Sequence, residues 1–217
     1  MENSIKNTEV TAETPPSVDG GFFCPKIVIT GGPACGKTTV VEHLAEYRPD
    51  IRTVPEAATQ VLSSGFPLPN ENRPWSEEWQ RGLQLAIAGH QLGLEAVAAT
   101  DQRQEPRRGQ ILDRGILDGA AYLPGGAEEF SEMVNTPLES MLRRYDAVIM
   151  LGWLSIRTYE TNSNQTRFEE ESRARELTNR VKEAWSQHPN FIEVEEQTER
   201  AKAVADLIDQ LVSRGEE

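Results

Sequence analysis

The sequence is short of cysteine and of long apolar runs, and each shortage excludes a class of protein. The 217 residues contain only two cysteines, Cys24 and Cys35. No metal-ligand spacing accompanies them, so we expect free thiols in a reducing compartment. No apolar run reaches about 18 residues, and the N-terminus lacks the charged and then apolar pattern of a secretory signal. We therefore predict a cytoplasmic protein that does not enter the membrane.

Basic residues are also in short supply. The chain has 22 Lys+Arg against 35 Asp+Glu, a formal net charge of -13. This charge repels nucleic acid and anionic membranes except at a local basic site, so we do not expect nucleic acid as the main partner. No internal repeat is visible. The length suits a single domain with one buried core, acting as a monomer or small homo-oligomer.

The order of segments predicts an α/β fold. Residues 1–21 have almost no apolar side chains to offset the entropy of ordering, so we predict a disordered tail there and one domain over residues 22–217. Within that domain, short apolar runs alternate with helical patterns, which is typical of a parallel sheet covered on both faces. Five strands are expected in the segments CPKIVIT, IRTVPEAA, GQILDRG, DAVIMLG and NFIEVEE.

The stretch VITGGPACGKTT, residues 28–39, matches G-x-x-x-x-G-K-[ST] between a predicted strand and helix. Its glycines let backbone N–H groups converge on phosphate oxygens, Lys37 can reach the terminal phosphates, and the Thr38 hydroxyl can ligate Mg²⁺. A chance glycine-rich turn would need no ligand. We predict a site for ATP or GTP with Mg²⁺ at Gly31, Gly32, Pro33, Ala34, Cys35, Gly36, Lys37, Thr38 and Thr39.

Charged residues follow two other predicted strands, where ligands of open parallel sheets bind. Asp113 is expected to hold the metal, and Arg114 suits a substrate oxygen or a transferred phosphoryl group. Glu56 is expected to accept a proton from an attacking hydroxyl. Alternatively, Glu56 is a first-turn acid of its helix, and Asp113 with Arg114 forms a helix cap and a surface ion pair.

Arginines after the fourth predicted strand suggest a lid over about residues 153–175. Arg157, Arg167, Arg173 and Arg175 lie in or beside a highly charged helical segment. We favour Arg167, at the loop-to-helix junction, as a residue that neutralises charge during transfer. The alternative is a solvated helix with weak salt bridges.

An acceptor site is less well defined by the sequence. Aromatic and basic side chains between residues 66 and 85 could line a pocket that stacks a ring, although two tryptophans four residues apart are also typical of a core. Tyr122 could reach the same cleft. The residues concerned are Phe66, Arg73, Trp75, Trp79 and Arg81.

Four segments together resemble a known family. ITGGPACGKTT, VPEAA, ILDRGILDGAAY and TRFEEESRARELTNRVKEAWSQHP resemble, in order, motifs of the small AAA-like P-loop domains of translocation-defect proteins and their relatives. These domains are similar to those of nicotinamide riboside kinase and deoxynucleoside kinases. The resemblance covers about residues 25–212 and implies a kinase-like P-loop NTPase fold. It also implies nucleotide binding at residues 31–39, a metal at Asp113, a base at Glu56 and a substrate or phosphate contact at Arg114.

Three functions are compatible with these motifs. The first is a Mg²⁺-dependent phosphotransferase acting on a small hydroxyl-bearing, nucleoside-like acceptor. The second is a nucleotide-gated binding or regulatory protein with weak hydrolysis. A ring-forming motor ATPase is disfavoured, because such enzymes usually place a second acid where Arg114 stands. No N-K-x-D-type guanine-reading motif is present, so ATP and GTP both remain open.

Overall fold

The computed structural model describes residues 24–153, 164–195 and 199–213, with side chains in the second range from residue 172 onward. All five predicted strands are present. They are β1 (Lys26–Thr30), β2 (Ile51–Val54), β3 (Gly109–Asp113), β4 (Ala147–Leu151) and β5 (Phe191–Val194). The predicted tail and residues 154–163 of the predicted lid lie outside the described residues.

The five strands form one parallel sheet in the order β2-β3-β1-β4-β5. β1 is therefore central, with β3 and β4 as its neighbours. Since Ile29 of β1 is in register with Asp113 of β3, the segments that follow these strands leave the sheet side by side. The topology thus gathers the residues after β1, β2 and β3 at one edge.

Helices cover both faces of the sheet, which confirms the predicted α/β architecture. Alternate strand residues point to opposite faces, as the pleat requires. Ile27, Ile111 and Ile149 belong to a core with α1 and α7, while Val28 and Val148 belong to the core on the other face. The helices are α1 (Lys37–Tyr47), α2 (Ala57–Ser63), α3 (Glu77–Gln104), the 3₁₀ helix (Ile116–Tyr122), α4 (Gly126–Met133), α5 (Leu138–Leu142), α6 (Asn164–Trp185) and α7 (Arg200–Ser213).

Side-chain hydrogen bonds mark the ends of two long helices. Ser76 caps the start of α3, because its hydroxyl accepts a hydrogen bond from the Trp79 N–H at 3.1 Å. The charged helix α6 ends at Trp185. The ring of His188 hydrogen-bonds the Tyr145 carbonyl and the Asn190 N–H, and these bonds turn the chain out of the helix toward β5. Among the described helices, none is long and apolar enough to cross a membrane.

Candidate functional site

The loop between β1 and α1 has a backbone path that requires glycine. Gly31 has a φ of +147° and Gly36 a φ of +83°, values that residues with a Cβ rarely adopt. A Cβ on Gly31 would also lie 2.6 Å from the Cys35 Sγ and 2.7 Å from the Leu151 carbonyl oxygen. The loop ends at the N-terminus of α1, where the first backbone N–H groups have no helical acceptors. Such a loop and helix start suit an anionic phosphate.

Lys37 is folded back over this loop. Its ammonium group donates to the carbonyl oxygens of Gly31 at 3.0 Å and Gly32 at 2.8 Å, and to the Cys35 Sγ at 3.4 Å. The side chain spans the loop and is only 8% exposed. A positive charge is therefore held at the mouth of the loop, where the terminal phosphates of a nucleotide would need it.

Asp113, at the end of β3, carries a buried oxygen without a protein partner. Within the described part of the chain, its Oδ1 atom accepts no hydrogen bond. Burial, followed by the charge of Glu56, raises the pKa of Asp113 from 3.8 to about 6, although Lys37 and Arg114 oppose the rise. A buried carboxylate is costly unless it is paired or coordinates a metal ion. Asp113 therefore fits a metal ligand.

The chemistry of the surrounding residues suits Mg²⁺ better than a metal held by protein ligands alone. The described residues contain no cluster of three or more His, Cys, Asp or Glu placed to hold an ion. Mg²⁺ is usually bound by one or two carboxylates together with water and substrate phosphates. Asp113 with the exposed Thr38 hydroxyl in the first turn of α1 meets this limited requirement.

Glu56 and Arg114, which follow β2 and β3, form an ion pair, with the Arg114 Nε 2.5 Å from the Glu56 Oε1. The other Glu56 oxygen accepts a hydrogen bond from the Thr59 hydroxyl. Burial favours the neutral acid, but Thr59 and the charge and hydrogen bond of Arg114 outweigh it and hold the pKa of Glu56 below 4.5. The Glu56 side chain is 26% exposed and so remains open to solvent.

Arg114 is the centre of a cluster that also contains Glu56 and Asp118. Its backbone is left-handed, with a φ of 71°. Its side chain is only 15% exposed, so the alternative interpretation as a surface ion pair is wrong. Its Nη1 atom lies 3.0 Å from the Asp118 Oδ1 and 3.3 Å from the Gly31 carbonyl oxygen. Burial opposes its charge, but Asp118, Tyr122 and Glu56 hold the pKa of Arg114 above its ordinary value. The guanidinium therefore joins the loop to both acids.

Asp118 is a member of the site that the sequence analysis missed. It is 4% exposed, and its Oδ1 also accepts a hydrogen bond from the Thr30 hydroxyl at 2.6 Å. The only sequence signal was its spacing, four residues after Arg114 at the start of a helical piece. Nothing in the sequence indicated that this carboxylate is buried or that Thr30 faces it.

Two further contacts with the loop come from the C-terminal third of the chain. Arg200, at the start of α7, donates from Nη1 to the carbonyl oxygens of Cys35 at 2.5 Å and Gly152 at 2.9 Å. Thr178 of α6 lies so close to Gly32 that a Cβ on this glycine would be 1.9 Å from the Thr178 Oγ1. Helices α6 and α7 therefore both hold the loop, which the sequence analysis did not foresee.

The proposed acceptor residues have mixed surroundings. Trp75 is 56% exposed, so the core interpretation is wrong for this residue. Trp79 is half-buried, with its ring edge-on to Phe66 at 6.3 Å and its indole N–H donating to the Pro67 carbonyl at 2.7 Å. Arg81 pairs with Glu129 of α4 at 2.6 Å. Phe66 and Trp79 remain together, while Arg81 is engaged by α4.

Tyr122 and the arginines of the predicted lid are the remaining predicted residues. Tyr122 lies near Arg114, Asp118 and Glu56. Burial raises the pKa of its hydroxyl, and the charges of these three residues act on it as well. Arg167 is part of α6, but only its backbone is described. Arg157 lies wholly outside the described residues. Arg175 is described and stacks on Trp153, with its Cζ 4.1 Å from the ring centroid.

The fold and the loop together define a P-loop NTPase-like domain: a glycine-dependent loop follows the central strand, and Lys37 closes over it. A family model described as an AAA domain matches residues 26–201. The chain therefore belongs to the AAA domain family, and this membership indicates nucleotide binding. It also confirms the AAA-like P-loop part of the resemblance seen in the sequence. No curated protein matches the chain.

Proposed function

We propose that this protein is a Mg²⁺-dependent phosphotransferase that uses ATP or GTP to phosphorylate a small, nucleoside-like acceptor. The observation that carries the proposal is the position of Glu56. Its carboxylate is joined to Arg114 at 2.5 Å, and Arg114 reaches the Gly31 carbonyl of the loop at 3.3 Å. Arg114 thus connects a group able to accept a proton to the phosphate-binding loop.

Each part of the site has its own role in this reaction. Residues 31–39 bind the triphosphate, with Lys37 at its terminal phosphates, and the Thr38 hydroxyl with Asp113 holds Mg²⁺. The ion, when bound, neutralises phosphate charge. Arg114 stabilises the transferred group. Arg167, in a lid over residues 153–175, is our candidate for the residue that neutralises charge during the transfer. The catalytic domain spans residues 22–217, behind a tail of residues 1–21.

The expected reaction is a direct displacement. The acceptor hydroxyl oxygen bonds to the γ-phosphorus, and the bond between that phosphorus and the β,γ-bridging oxygen breaks, which releases the nucleoside diphosphate. The hydroxyl proton passes to the Glu56 carboxylate and then to water. Arg114 and Lys37 stay protonated throughout and balance the negative charge of the transferred group.

The setting proposed for this reaction is the cytoplasm, with the protein as a monomer or small homo-oligomer. Support for the location comes from the two free cysteines, Cys24 and Cys35, which are typical of reducing compartments.

Replacing Glu56 by glutamine tests the assigned base. Glu56→Gln keeps the shape of the side chain but cannot accept the proton, so we expect acceptor phosphorylation to fall about 100-fold or more, as for loss of a general base. Binding of Mg²⁺-AMP-PNP should remain within about threefold, since residues 31–39 are unchanged. Product is measured by ³¹P NMR with a panel of nucleosides and other small alcohols.

Glu129→Gln is the matched control for this experiment. Glu129 also pairs with an arginine, Arg81 at 2.6 Å, and its side chain is 21% exposed against 26% for Glu56. It lies on α4, where its carboxylate accepts hydrogen bonds from Arg81 and from the Gly125 N–H. We expect the control to keep normal turnover. A Glu56→Gln protein that phosphorylates the acceptor at the rate of the unchanged protein would refute the role of Glu56.

A nucleotide-gated regulatory protein is the second candidate, and the Glu56 environment is what favours it. Thr59 and Arg114 already bind both carboxylate oxygens and hold the pKa of Glu56 below 4.5, which weakens it as a base. Limited proteolysis with and without Mg²⁺-AMP-PNP separates the two functions. Nucleotide-dependent protection together with no phosphorylated product from any acceptor would favour the regulatory protein.

A further inference from the structure

Asp118 is a buried carboxylate with both oxygens occupied. Its Oδ1 accepts hydrogen bonds from Thr30 at 2.6 Å and Arg114 at 3.0 Å. Its Oδ2 accepts from the Gly115 N–H and from the Trp185 indole N–H, both at 3.1 Å. Four donors from β1, from the segment after β3 and from α6 therefore hold one negative charge in a fixed place.

The position of Asp118 decides how Arg114 shares its donors. Nε of Arg114 serves Glu56, while Nη1 serves Asp118 and the Gly31 carbonyl. A guanidinium can also bind one carboxylate through two parallel hydrogen bonds. If Asp118 lost its charge, Arg114 would be free to turn and give both bonds to Glu56. Asp118 therefore keeps the guanidinium divided between the loop and the proposed base.

The same carboxylate connects this cluster to α6. Trp185, the last residue of α6, is fully buried and donates to Asp118. Its ring occupies the place where a side chain at Gly115 would lie, since a Cβ there would be 2.8 Å from two ring carbons. Two turns earlier, Thr178 of α6 packs against Gly32 of the loop. One helix therefore touches the loop and, through Asp118, the arginine beside it.

We propose that Asp118 is a positioning residue for Arg114 and that it links the orientation of this guanidinium to α6 through the Trp185 indole. The inference rests on the proposed function, because it concerns the arginine assigned to the transferred group. The alternative is that Asp118 only stabilises the fold. Glu95 provides the comparison: it is 2% exposed and accepts hydrogen bonds from Arg144 at 2.6 Å and from the Tyr145 hydroxyl at 2.8 Å.

The first test compares Asp118→Asn with Glu95→Gln in the full chain. Each removes one buried charge from an arginine and an aromatic donor, so both should lower the melting temperature. Only Asp118→Asn should lower kcat for MgATP and MgGTP hydrolysis, by about 100-fold if Arg114 turns away from the phosphates. KM should stay within about threefold in both variants, because the loop is unchanged.

The second test reads the link to α6 without activity. The protein has four tryptophans, and Trp185→Phe identifies the Trp185 indole N–H signal in a ¹H–¹⁵N NMR spectrum. Mg²⁺-AMP-PNP should shift this signal in the unchanged protein and in Glu95→Gln, but not in Asp118→Asn. Trp185→Phe, which leaves Asp118 charged, should lose only a few-fold in kcat. It also serves as the kinetic variant if Asp118→Asn does not fold.

The outcomes separate this inference from the proposed function. Asp118→Asn with the kcat of the unchanged protein, or with an equal loss in Glu95→Gln, would overturn the positioning role. The link to α6 would be overturned if the Trp185 indole signal did not shift when calorimetry shows that nucleotide binds. Failure of Mg²⁺-AMP-PNP to bind the unchanged protein would instead count against the proposed function.

Discussion

Arg114 adopts a conformation that few arginines tolerate. A left-handed backbone costs an L-residue roughly 1–2 kcal/mol, and here the φ is 71°. The backbone is held by a hydrogen bond from the Arg114 N–H to the Ile29 carbonyl at 3.0 Å, and the side chain by Glu56 and Asp118. Strained residues persist where surrounding contacts hold them, often at functional sites. The strain agrees with the role proposed for Arg114.

Asp113 gives the first prediction at the residue scale. Its pKa is raised to about 6 in the folded protein, mainly by burial and then by Glu56. At low pH the group is neutral in both states, whereas above about pH 6 its charge destabilises the folded protein. Asp113→Asn should therefore raise the melting temperature of the nucleotide-free protein at about pH 7.5, and the gain should vanish near pH 4. It should also weaken Mg²⁺-dependent binding of AMP-PNP.

Calorimetry at both pH values checks this prediction against Asp206→Asn. Asp206 is exposed on α7, so the same chemical change there should leave stability nearly constant at either pH. Two results would contradict this prediction. A lower melting temperature for Asp113→Asn at the higher pH would contradict the destabilising effect of the Asp113 charge, and an unchanged Mg²⁺ dependence of binding would contradict its metal role.

Residues that directly follow a buried strand were easier to identify than residues whose role depends on contacts with distant segments. Glu56, Asp113 and Arg114 were expected together, because each follows a buried strand and the ends of parallel strands share one edge. Asp118 escaped notice, since its burial depends on Trp185, 67 positions away in the sequence. Arg200 escaped notice for the same reason, with Cys35 lying 165 positions away. Local pattern carries no record of such contacts.

Helix α6 packs closely against the loop at Gly32. A Cβ on Gly32 would lie 1.9 Å from the Oγ1, 2.9 Å from the Cβ and 3.0 Å from the Cα of Thr178. Backbone and a β-branched side chain cannot both move aside easily inside a packed region. The loop and α6 are therefore expected to shift together rather than separately.

Gly32→Ala tests this coupling between the loop and α6. The added methyl should cost about 1–3 kcal/mol, as overpacking does, and should weaken nucleotide binding by displacing the loop. Adding Thr178→Ala removes the nearest atom and should recover part of the stability. Unfolding in urea measures the first effect, and titration with Mg²⁺-AMP-PNP measures the second.

Gly89→Ala supplies the control for the new methyl group. Beyond its chain neighbours and the nearby backbone of α3, no atom of the described residues lies within 4 Å of the added Cβ, and alanine favours a helix by up to about 1 kcal/mol over glycine. This variant should be as stable as the unchanged protein or more so. Equal stability changes at Gly32 and Gly89 would show that α6 does not press on the loop.

At the scale of the whole molecule, the described residues form two cores, one on each face of the sheet. One joins α1 and α7 to the sheet, and the other joins α3, the 3₁₀ helix and α4–α6 to it. The loop lies where these two layers meet, with α7 contacting it through Arg200 and α6 through Thr178. A ligand bound in the loop therefore contacts parts of the fold that stabilise both faces.

Nucleotide should accordingly stabilise the whole domain. At 100 times Kd, a ligand that binds only the folded state adds about 2.7 kcal/mol, which for a domain of this size is a rise of roughly 5–10 °C in Tm. MgATP or MgGTP should produce this shift, and Lys37→Ala should abolish it. Lys202→Ala, at an exposed lysine paired with Glu199 at 3.6 Å, should keep it. Thermal scans with each nucleotide decide the matter, and an equal shift in Lys37→Ala would contradict the role of Lys37.

The sequence by itself determined the class of fold and the position of the loop, because both depend on local order. Short β-branched runs alternate with helical patterns, and glycines with Lys37 and Thr38 stand between the first strand and helix. Tertiary structure alone decided which groups complete the site. Asp118 reaches Arg114, and Thr178 and Arg200 reach the loop, only after β1, α6 and α7 pack on the same sheet. Burial and pairing arise from packing between distant segments, so the partners of Arg114 and of the loop emerge only in the folded chain.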